Sequence, residues 1–225
     1  MKNLYEKNSL MFWDEKEILL KEFFEKMLTM ELKECLMKMN SAFRFVKVDA
    51  PLFIPKELIN ENYTKDDVFL QNFDDLALRP ESTKSSYVYA KHLLNVHNEI
   101  KYRLPLVVYQ HNKSFRKEQD KTLSNMRLKE FYQIEYQIFF SKNTNNDYYP
   151  QILECCLNYV NRYVKDARLE KSDRLPSYSD ETIDIILNDN NMELFSISRR
   201  KDFDEDIKVI EVSTGSDRLV YNKMR

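Results

Sequence analysis

Two neighbouring stretches of the sequence bring together side chains that suit the chemistry of phosphates and small charged ligands. The first is Ser114-Phe115-Arg116-Lys117-Glu118, and the second runs from Arg127 to Glu135. Between them they supply arginines, carboxylates, an aromatic ring and an amide on two candidate strands joined by a polar loop. These are the groups needed to hold ATP and an amino acid side by side.

The arginine and the glutamate of the first stretch fit a nucleotide. Attack of a carboxylate on the α-phosphate of ATP builds negative charge on phosphorus-bound oxygens. The planar guanidinium of Arg116 can donate several hydrogen bonds to those oxygens at once. Glu118 follows two residues later, so its side chain points to the same side of a strand and can accept a hydrogen bond from an adenine amino group.

The second stretch places three useful side chains on one strand face, because side chains alternate along a strand: Phe131, Gln133 and Glu135. An aromatic ring there can stack on a base, and a carboxylate can hold an ammonium group. A half-buried hairpin whose charges pair across the strands explains the same residues equally well. Taken alone, this segment leaves both interpretations open.

A family resemblance decides between them. Phe115-Arg116-x-Glu118 and Arg127-x-x-Glu130-Phe131-x-Gln133-x-Glu135 resemble motif 2 of class II aminoacyl-tRNA synthetases, with an ending typical of glycyl-tRNA synthetases. Three further segments resemble the same family in the right order: Leu78–Thr83, Glu193–Asp204 and Val209–Arg218, the last being similar to motif 3. Four collinear matches are far more specific than one motif.

Motif 1 is the faintest of these matches. Apolar residues recur at helical spacing from Asp14 to Met39, and the chain then passes through a candidate strand to Pro51. The family's motif 1 is such a helix, strand and proline, and it usually forms a dimer interface. The resemblance therefore implies a homodimer through this region, although plain core packing explains any single apolar residue of the helix.

We expect a single domain over residues 1–225, with motif 1 at about 14–52, motif 2 at about 113–140 and motif 3 at about 208–225. The predicted fold class is α+β, an antiparallel sheet flanked by helices, as in the class II synthetase catalytic domain. Helices are predicted at 14–39, 82–96 and 150–164. Strands are predicted at 43–48, 68–71, 106–110, 113–118, 127–140, 183–187, 193–198 and 208–212.

The resemblance implies a role for each candidate residue. Arg116 would contact the α-phosphate and the attacking carboxylate, Glu118 the adenine amino group, and Phe131 would stack on the base. Arg218 would hold the γ-phosphate, and Glu193 would help to hold Mg²⁺ between phosphates. The amino-acid pocket would comprise Glu81, Gln133, Glu135, Arg200, Glu211 and Ser213.

A pocket with three glutamates disfavours a substrate side chain and favours a small cationic head, which suits glycine. The implied activity is ATP-dependent formation of an aminoacyl-adenylate with Mg²⁺, followed by transfer to tRNA or another acceptor. Arg116 and Arg218 would be the catalytic residues.

The sequence departs from the family pattern in two places. Lys117 stands where the family usually has Asn, and we expect no anticodon-binding domain after residue 218. A noncatalytic paralogue that binds nucleic acid or a partner, and a regulatory amino-acid sensor, are the alternative functions.

The amino-acid composition excludes several other classes of protein. The net charge of -2 gives no global basic field for nonspecific nucleic-acid binding. A single glycine, Gly215, excludes the glycine-rich phosphate loops of Rossmann and P-loop proteins. No apolar run is long enough to span a bilayer and no targeting signal is evident, so we expect a cytoplasmic protein without membrane contact.

Overall fold

The computed structural model describes residues 2–70, 75–95, 103–117, 126–172 and 175–224. Its α-helices are α1 (Lys2–Glu6), α2 (Glu15–Met39), α3 (Thr83–Asn95), α4 (Tyr149–Tyr163) and α5 (Ser216–Lys223). Its strands are β1 (Arg44–Lys47), β2 (Phe53–Pro55), β3 (Leu76–Leu78), β4 (Leu106–Phe115), β5 (Glu130–Ser141), β6 (Ala167–Lys171), β7 (Ser179–Leu187), β8 (Glu193–Asp204) and β9 (Ile207–Gly215).

Helix α2 begins and ends where its sequence provides capping groups. The Asp14 carboxylate accepts from the Glu17 N–H (2.9 Å), and the Glu17 carboxylate accepts from the Asp14 N–H (2.8 Å). This reciprocal pair satisfies two donors that the first turn leaves unpaired. At the other end Asn40 adopts an extended conformation, and its N–H donates to the Leu36 carbonyl. The predicted helix over 14–39 is therefore confirmed.

The centre of the fold is a seven-stranded sheet in the order β1-β4-β5-β9-β8-β7-β6. One face is apolar, with Tyr109, Tyr136, Val212 and Ile197 in one cross-strand row. Helices α2, α4 and α5 cover this face and form the main core with it. Because side chains alternate along each strand, the residues between these must point to the opposite face.

The opposite face of the sheet is polar over its middle and apolar at one end. At the apolar end Val108, Phe139 and Val209 pack against Tyr87 and Ala90 of α3. Helix α3 covers that end, and its first turn also contacts the polar part, where a ligand site would lie. Two adjacent cross-strand rows of this polar part are Gln110, Glu135, Ser213 and Ser196, and Val108, Gln137, Glu211 and Ser198.

The fold class predicted from sequence is confirmed, with one difference in strand direction. Strand β1 pairs parallel to β4, whereas all other pairs of the sheet are antiparallel. A parallel pair requires a long connection, and the chain between β1 and β4 supplies one that includes β2, β3 and α3. The sheet is thus mixed.

Element boundaries differ from prediction in a few places. The strands expected at 106–110 and 113–118 are one continuous strand, β4. Within the described part of 68–71 only an isolated bridge forms, between Leu70 and Ala77. Strands β2, β3 and β6 and helix α5 carry too few patterned residues to be predicted. Among the described residues, no helix has the length and apolar character needed to cross a membrane.

Truncating the core face of α2 tests this architecture. Leu28 is fully buried in the main cluster, so we expect Leu28→Ala to lower the free energy of unfolding by about 2–5 kcal/mol. Leu175→Ala, at an exposed leucine, is the matched control and should change it by less than about 0.5 kcal/mol. Urea denaturation measures both; equal effects would contradict the packing described.

Candidate active site

An open cavity of about 200 Å³ lies where β5, β8 and β9 meet the first turn of α5. Six of the residues that the sequence singled out line it: Arg116, Phe131, Gln133, Glu193, Ser213 and Arg218. The two arginines are about a hundred positions apart in the chain and still face one cavity. Arg116 follows β4, which pairs with β5, and β5 pairs with β9, the strand that leads into α5 and Arg218. Glu118 lies outside the described residues.

The guanidinium of Arg116 is oriented by its surroundings. Its Nε donates to the Pro80 carbonyl at 2.9 Å. The guanidinium carbon lies 5.2 Å from the ring centroid of Phe131 and 5.5 Å from that of Tyr63. Such cation–π contacts together with the hydrogen bond hold a long side chain in one place. Arg116 is therefore preorganised at the rim of the cavity.

Arg218, on α5, lines the same cavity. Its Nη1 donates to the Glu193 carbonyl at 2.8 Å and lies 3.9 Å from the Glu193 carboxylate. Glu193 is exposed at the start of β8 and points to the cavity that the arginines line. Among the described residues no group of three or more His, Cys, Asp or Glu side chains could hold a metal ion. A single carboxylate combined with phosphate oxygens is, however, a common way to bind Mg²⁺.

Gly215 also lines this cavity. Its φ of -84° is open to any residue, and a Cβ built there would meet other protein atoms only at 3.9 Å. Neither backbone conformation nor packing thus requires glycine at this position. The absent side chain leaves the cavity wall open beside Arg218, as close approach of a ligand would need.

Behind the cavity, two buried glutamates of neighbouring strands share one amide. The Gln137 Nε2 donates to Glu135 at 2.9 Å and to Glu211 at 2.5 Å. Gln133 donates to the other oxygen of Glu135 at 2.9 Å. Glu211 also accepts from the Thr83 hydroxyl at 2.8 Å. The sheet and the start of α3 together fix both carboxyl groups.

Glu81 completes this carboxyl cluster, which we define as Glu81, Glu135 and Glu211. It accepts from the Tyr63 hydroxyl at 2.9 Å. Its other oxygen, Oε1, is buried, as is Oε1 of Gln137, and neither has a hydrogen-bond partner within the described parts of the chain. Two buried acceptors without donors are costly unless a ligand supplies the missing N–H groups.

Arg200 provides the main positive charge beside the cluster. Its guanidinium is buried, pairs with Glu211 (3.1 Å) and Asp202 (2.8 Å), and lies 3.7 Å over the Tyr178 ring. Arg200 thus neutralises one acid of the cluster. Its expected contact with the carboxylate of a substrate remains a prediction.

The remaining carboxyl groups resist ionisation. Burial, and then the charges of Glu211 and Glu81, raise the pKa of Glu135 to about 8. Burial, followed by Glu211, also raises the pKa of Glu81. At neutral pH Glu135 therefore holds a proton, and an incoming cation would favour its release.

Sequence reasoning missed three contributors to the cluster. Gln137 continues the alternation of Gln133 and Glu135 and could have been found from that period. Thr83 was part of a matched segment without an assigned role. Tyr63 lies in a segment without patterned residues, so no sequence signal pointed to it.

Comparisons with known proteins identify the family of this chain. Residues 63–210 match the family model "tRNA synthetase class II core domain (G, H, P, S and T)". The chain is 32% identical over 135 residues to a glycine–tRNA ligase of Mycoplasma capricolum, covering 56% of this chain and 29% of that protein. It is 29% identical over 134 residues to the glycine–tRNA ligase of Mycoplasmopsis synoviae, with the same coverage. The chain thus spans less than a third of the length of these relatives.

Solved structures show the same fold. A pyrrolysyl-tRNA synthetase of Desulfitobacterium hafniense, PylSc, superposes with a TM-score of 0.60 at 17% identity, covering 86% of this chain and 66% of that chain. A second structure of pyrrolysyl-tRNA synthetase from the same organism gives a TM-score of 0.60 at 19% identity, with coverages of 87% and 68%. With the family model matching well over half of its residues, the chain belongs to the class II tRNA synthetase core-domain family.

Proposed function

We propose that this domain activates glycine with ATP, forming glycyl-adenylate and pyrophosphate, and passes the glycyl group to tRNA or another acceptor. The observation that carries the proposal is the placement of the carboxyl cluster directly behind the two-arginine cavity. Gln133 links the two, because it lines the cavity and donates to Glu135. An ammonium in the cluster would place its attached carboxylate towards the arginines.

The cavity suits a triphosphate and a base. Arg116 and Arg218 both line it and can donate to phosphate oxygens on which charge develops. Phe131 offers a ring for the adenine, and Gly215 leaves room beside Arg218. Glu118 would accept from the adenine amino group, as the family resemblance implies. Side chains thus take the place of a glycine-rich loop.

The carboxyl cluster suits an α-ammonium group. A primary ammonium supplies three donors, and Glu81 Oε1 and Gln137 Oε1 are buried acceptors that lack them. Ser213 accepts from the Gln133 amide at 2.7 Å and closes the wall between cluster and cavity. The acidic lining favours a cationic ammonium group on a molecule without a large side chain. Glycine is the amino acid that meets this description, and the matched relatives are named as glycine–tRNA ligases.

Catalysis would consist of alignment and charge stabilisation. The cluster holds the ammonium, Arg116 orients the substrate carboxylate against the α-phosphate, and Arg218 holds the phosphates of the leaving group. Mg²⁺ bound through Glu193 and the phosphates would supply further positive charge to the pyrophosphate. No covalent protein nucleophile is needed.

Removing the guanidinium of Arg116 tests the proposed chemistry. We expect Arg116→Ala to lower glycine-dependent exchange of pyrophosphate into ATP by about 10²–10³-fold, because charge developing at the α-phosphate loses its donors. Arg168→Ala, which removes an exposed arginine of β6 paired with Glu170, is the control and should keep normal exchange. Near-normal exchange by Arg116→Ala would exclude the arrangement, and no exchange by the unmodified protein with any amino acid would favour a noncatalytic paralogue.

The proton on Glu135 predicts a pH dependence of glycine binding. Below a pKa of about 8, the ammonium must displace this proton, so the apparent affinity for glycine should rise with pH by up to about tenfold per unit and level off near pH 8. The KM for glycine in the exchange assay measures this rise. Glu135→Gln should raise KM and remove the slope, whereas Glu170→Gln, on exposed β6, should preserve both. A pH-independent KM for the unmodified protein would refute the role of the cluster.

We further propose that two copies associate through the outer face of α2. Leu19 and Met30 are 58% and 53% exposed, and the exposed Phe23 and Met37 follow at helical spacing on the same side of α2. A surface of this kind on a long helix is typical of an interface. The resemblance of this region to motif 1 favours a second copy of the same chain as the partner that covers this surface.

Charges placed on this surface should separate the copies. We expect the unmodified protein to sediment as a dimer and the Leu19→Glu/Met30→Glu variant as a monomer, since each glutamate would have to be buried at the interface. Val88→Glu, at an exposed valine of α3, is the control and should remain dimeric. Sedimentation velocity distinguishes these states; a monomeric unmodified protein would contradict the proposal.

A further inference from the structure

An ion pair lies buried behind the nucleotide cavity. Lys21 of α2 is 4% exposed and Asp217 of α5 is 2% exposed, with Nζ and Oδ1 2.5 Å apart. Burying two charges costs several kcal/mol per ion before their attraction is counted. Such a pair is therefore a poor way to gain stability, and its position suggests another use. Asp217 lines the cavity and directly precedes Arg218.

The carboxylate of Asp217 connects the two halves of the nucleotide site. Its second oxygen, Oδ2, accepts from the backbone N–H of Tyr132 at 2.9 Å. Tyr132 directly follows Phe131, the candidate base-stacking residue. One carboxylate thus fixes the start of β5 and the first turn of α5 relative to each other, and with them Phe131 and Arg218.

Lys21 holds this carboxylate from the other side. Its Nζ lies 3.7 Å from the ring centroid of Trp13 and 4.5 Å from that of Tyr132. The ammonium is therefore confined by two aromatic faces and one carboxylate. Lys21 does not line the nucleotide cavity but a separate one of about 590 Å³ beside the N-terminal segment.

A second set of contacts also links α2 to the first turn of α5. Glu25 lies one turn after Lys21, and its carboxylate contacts the His111 Nδ1 at 2.9 Å; the His111 Nε2 contacts the Ser216 hydroxyl at 3.1 Å. Ser216 and Asp217 are the first two residues of α5. Two side chains of α2 thus hold consecutive residues of a helix only eight residues long, which would be marginal by itself.

We propose that Lys21 is a positioning residue of the nucleotide site: through Asp217 it sets the distance and direction between Arg218 and Phe131 without touching the nucleotide. The inference rests on the proposed binding of ATP in that cavity. A merely structural role would lower stability and leave the kinetic constants for ATP unchanged. A positioning role changes them in the folded protein.

The test compares Lys21→Met and Lys21→Arg in the full chain by pyrophosphate exchange. We expect Lys21→Met to raise the KM for ATP by roughly 10- to 100-fold, because small displacements of positioning groups have effects of this size. The KM for glycine should stay within about twofold of the unmodified protein's, since Lys21 does not contact the carboxyl cluster. Lys21→Arg keeps the charge and should recover most of the affinity for ATP. Lys38→Met, at an exposed lysine near the end of α2, is the matched control.

Trp13 gives a second readout, which begins with the unmodified protein. It is the only tryptophan of the chain and contacts Lys21 rather than the nucleotide cavity. We expect saturating ATP to change the emission of Trp13 in the unmodified protein, and this change to be lost in Lys21→Met. The measurement remains decisive if Lys21→Met proves too unstable to assay, because the unmodified protein must still respond.

The outcomes separate the two proposals. If the unmodified protein neither binds ATP nor exchanges pyrophosphate, both the proposed function and this inference fail. If it does so normally, but folded Lys21→Met has an unchanged KM for ATP, or Trp13 emission does not respond to saturating ATP, the inference alone is overturned. A rise in the KM for ATP, recovered by Lys21→Arg and absent in Lys38→Met, supports it.

Discussion

Burial of three carboxyl groups on one face of a sheet is the constraint around which the rest of the structure is arranged. Isolated ionised carboxylates cannot be buried without compensation. Here Arg200 pairs with Glu211, the amides of Gln133 and Gln137 donate to the cluster, and Glu135 keeps a proton. The compensation is incomplete, since two buried acceptor oxygens lack donors within the described residues. A site left in this state is ready for a cationic ligand.

The two-sided sheet explains how such a cluster can exist in a stable domain. Helices α2, α4 and α5 cover the apolar face and bury the main core there. Because the main core forms on the apolar face, residues in the middle of the polar face are not needed for packing and can contact a ligand. Helix α3 covers the apolar end of the polar face, and its first turn reaches the cluster through Thr83. Stability and ligand recognition thus depend on opposite faces of the same strands.

The period of two along β5 made much of the candidate site predictable. Phe131, Gln133 and Glu135 were expected to share a face, and the same alternation extends to Gln137. Strand pairing across the sheet could not be derived from alternation, and it is strand pairing that brings Glu211 beside Gln137. The family resemblance grouped Glu135 and Glu211 in one pocket but assigned no role to Gln137. The parallel direction of β1 and the contact of Tyr63 with Glu81 depend on the long connection between β1 and β4, where the sequence pattern is weak.

Lys21 shows a further limit of sequence reasoning. In an amphipathic helix a lysine between apolar residues is expected at the boundary with solvent, where its ammonium remains hydrated. Only the position of α5 makes this lysine a buried partner of Asp217. Under these proposals helix α2 has two different faces, each with its own role. Its outer face carries the apolar surface proposed to meet a second copy, and its inner face holds the turn that carries Arg218. A shift of α2 at the proposed interface would therefore move the first turn of α5, and with it Arg218, through the contacts of Lys21 and Glu25.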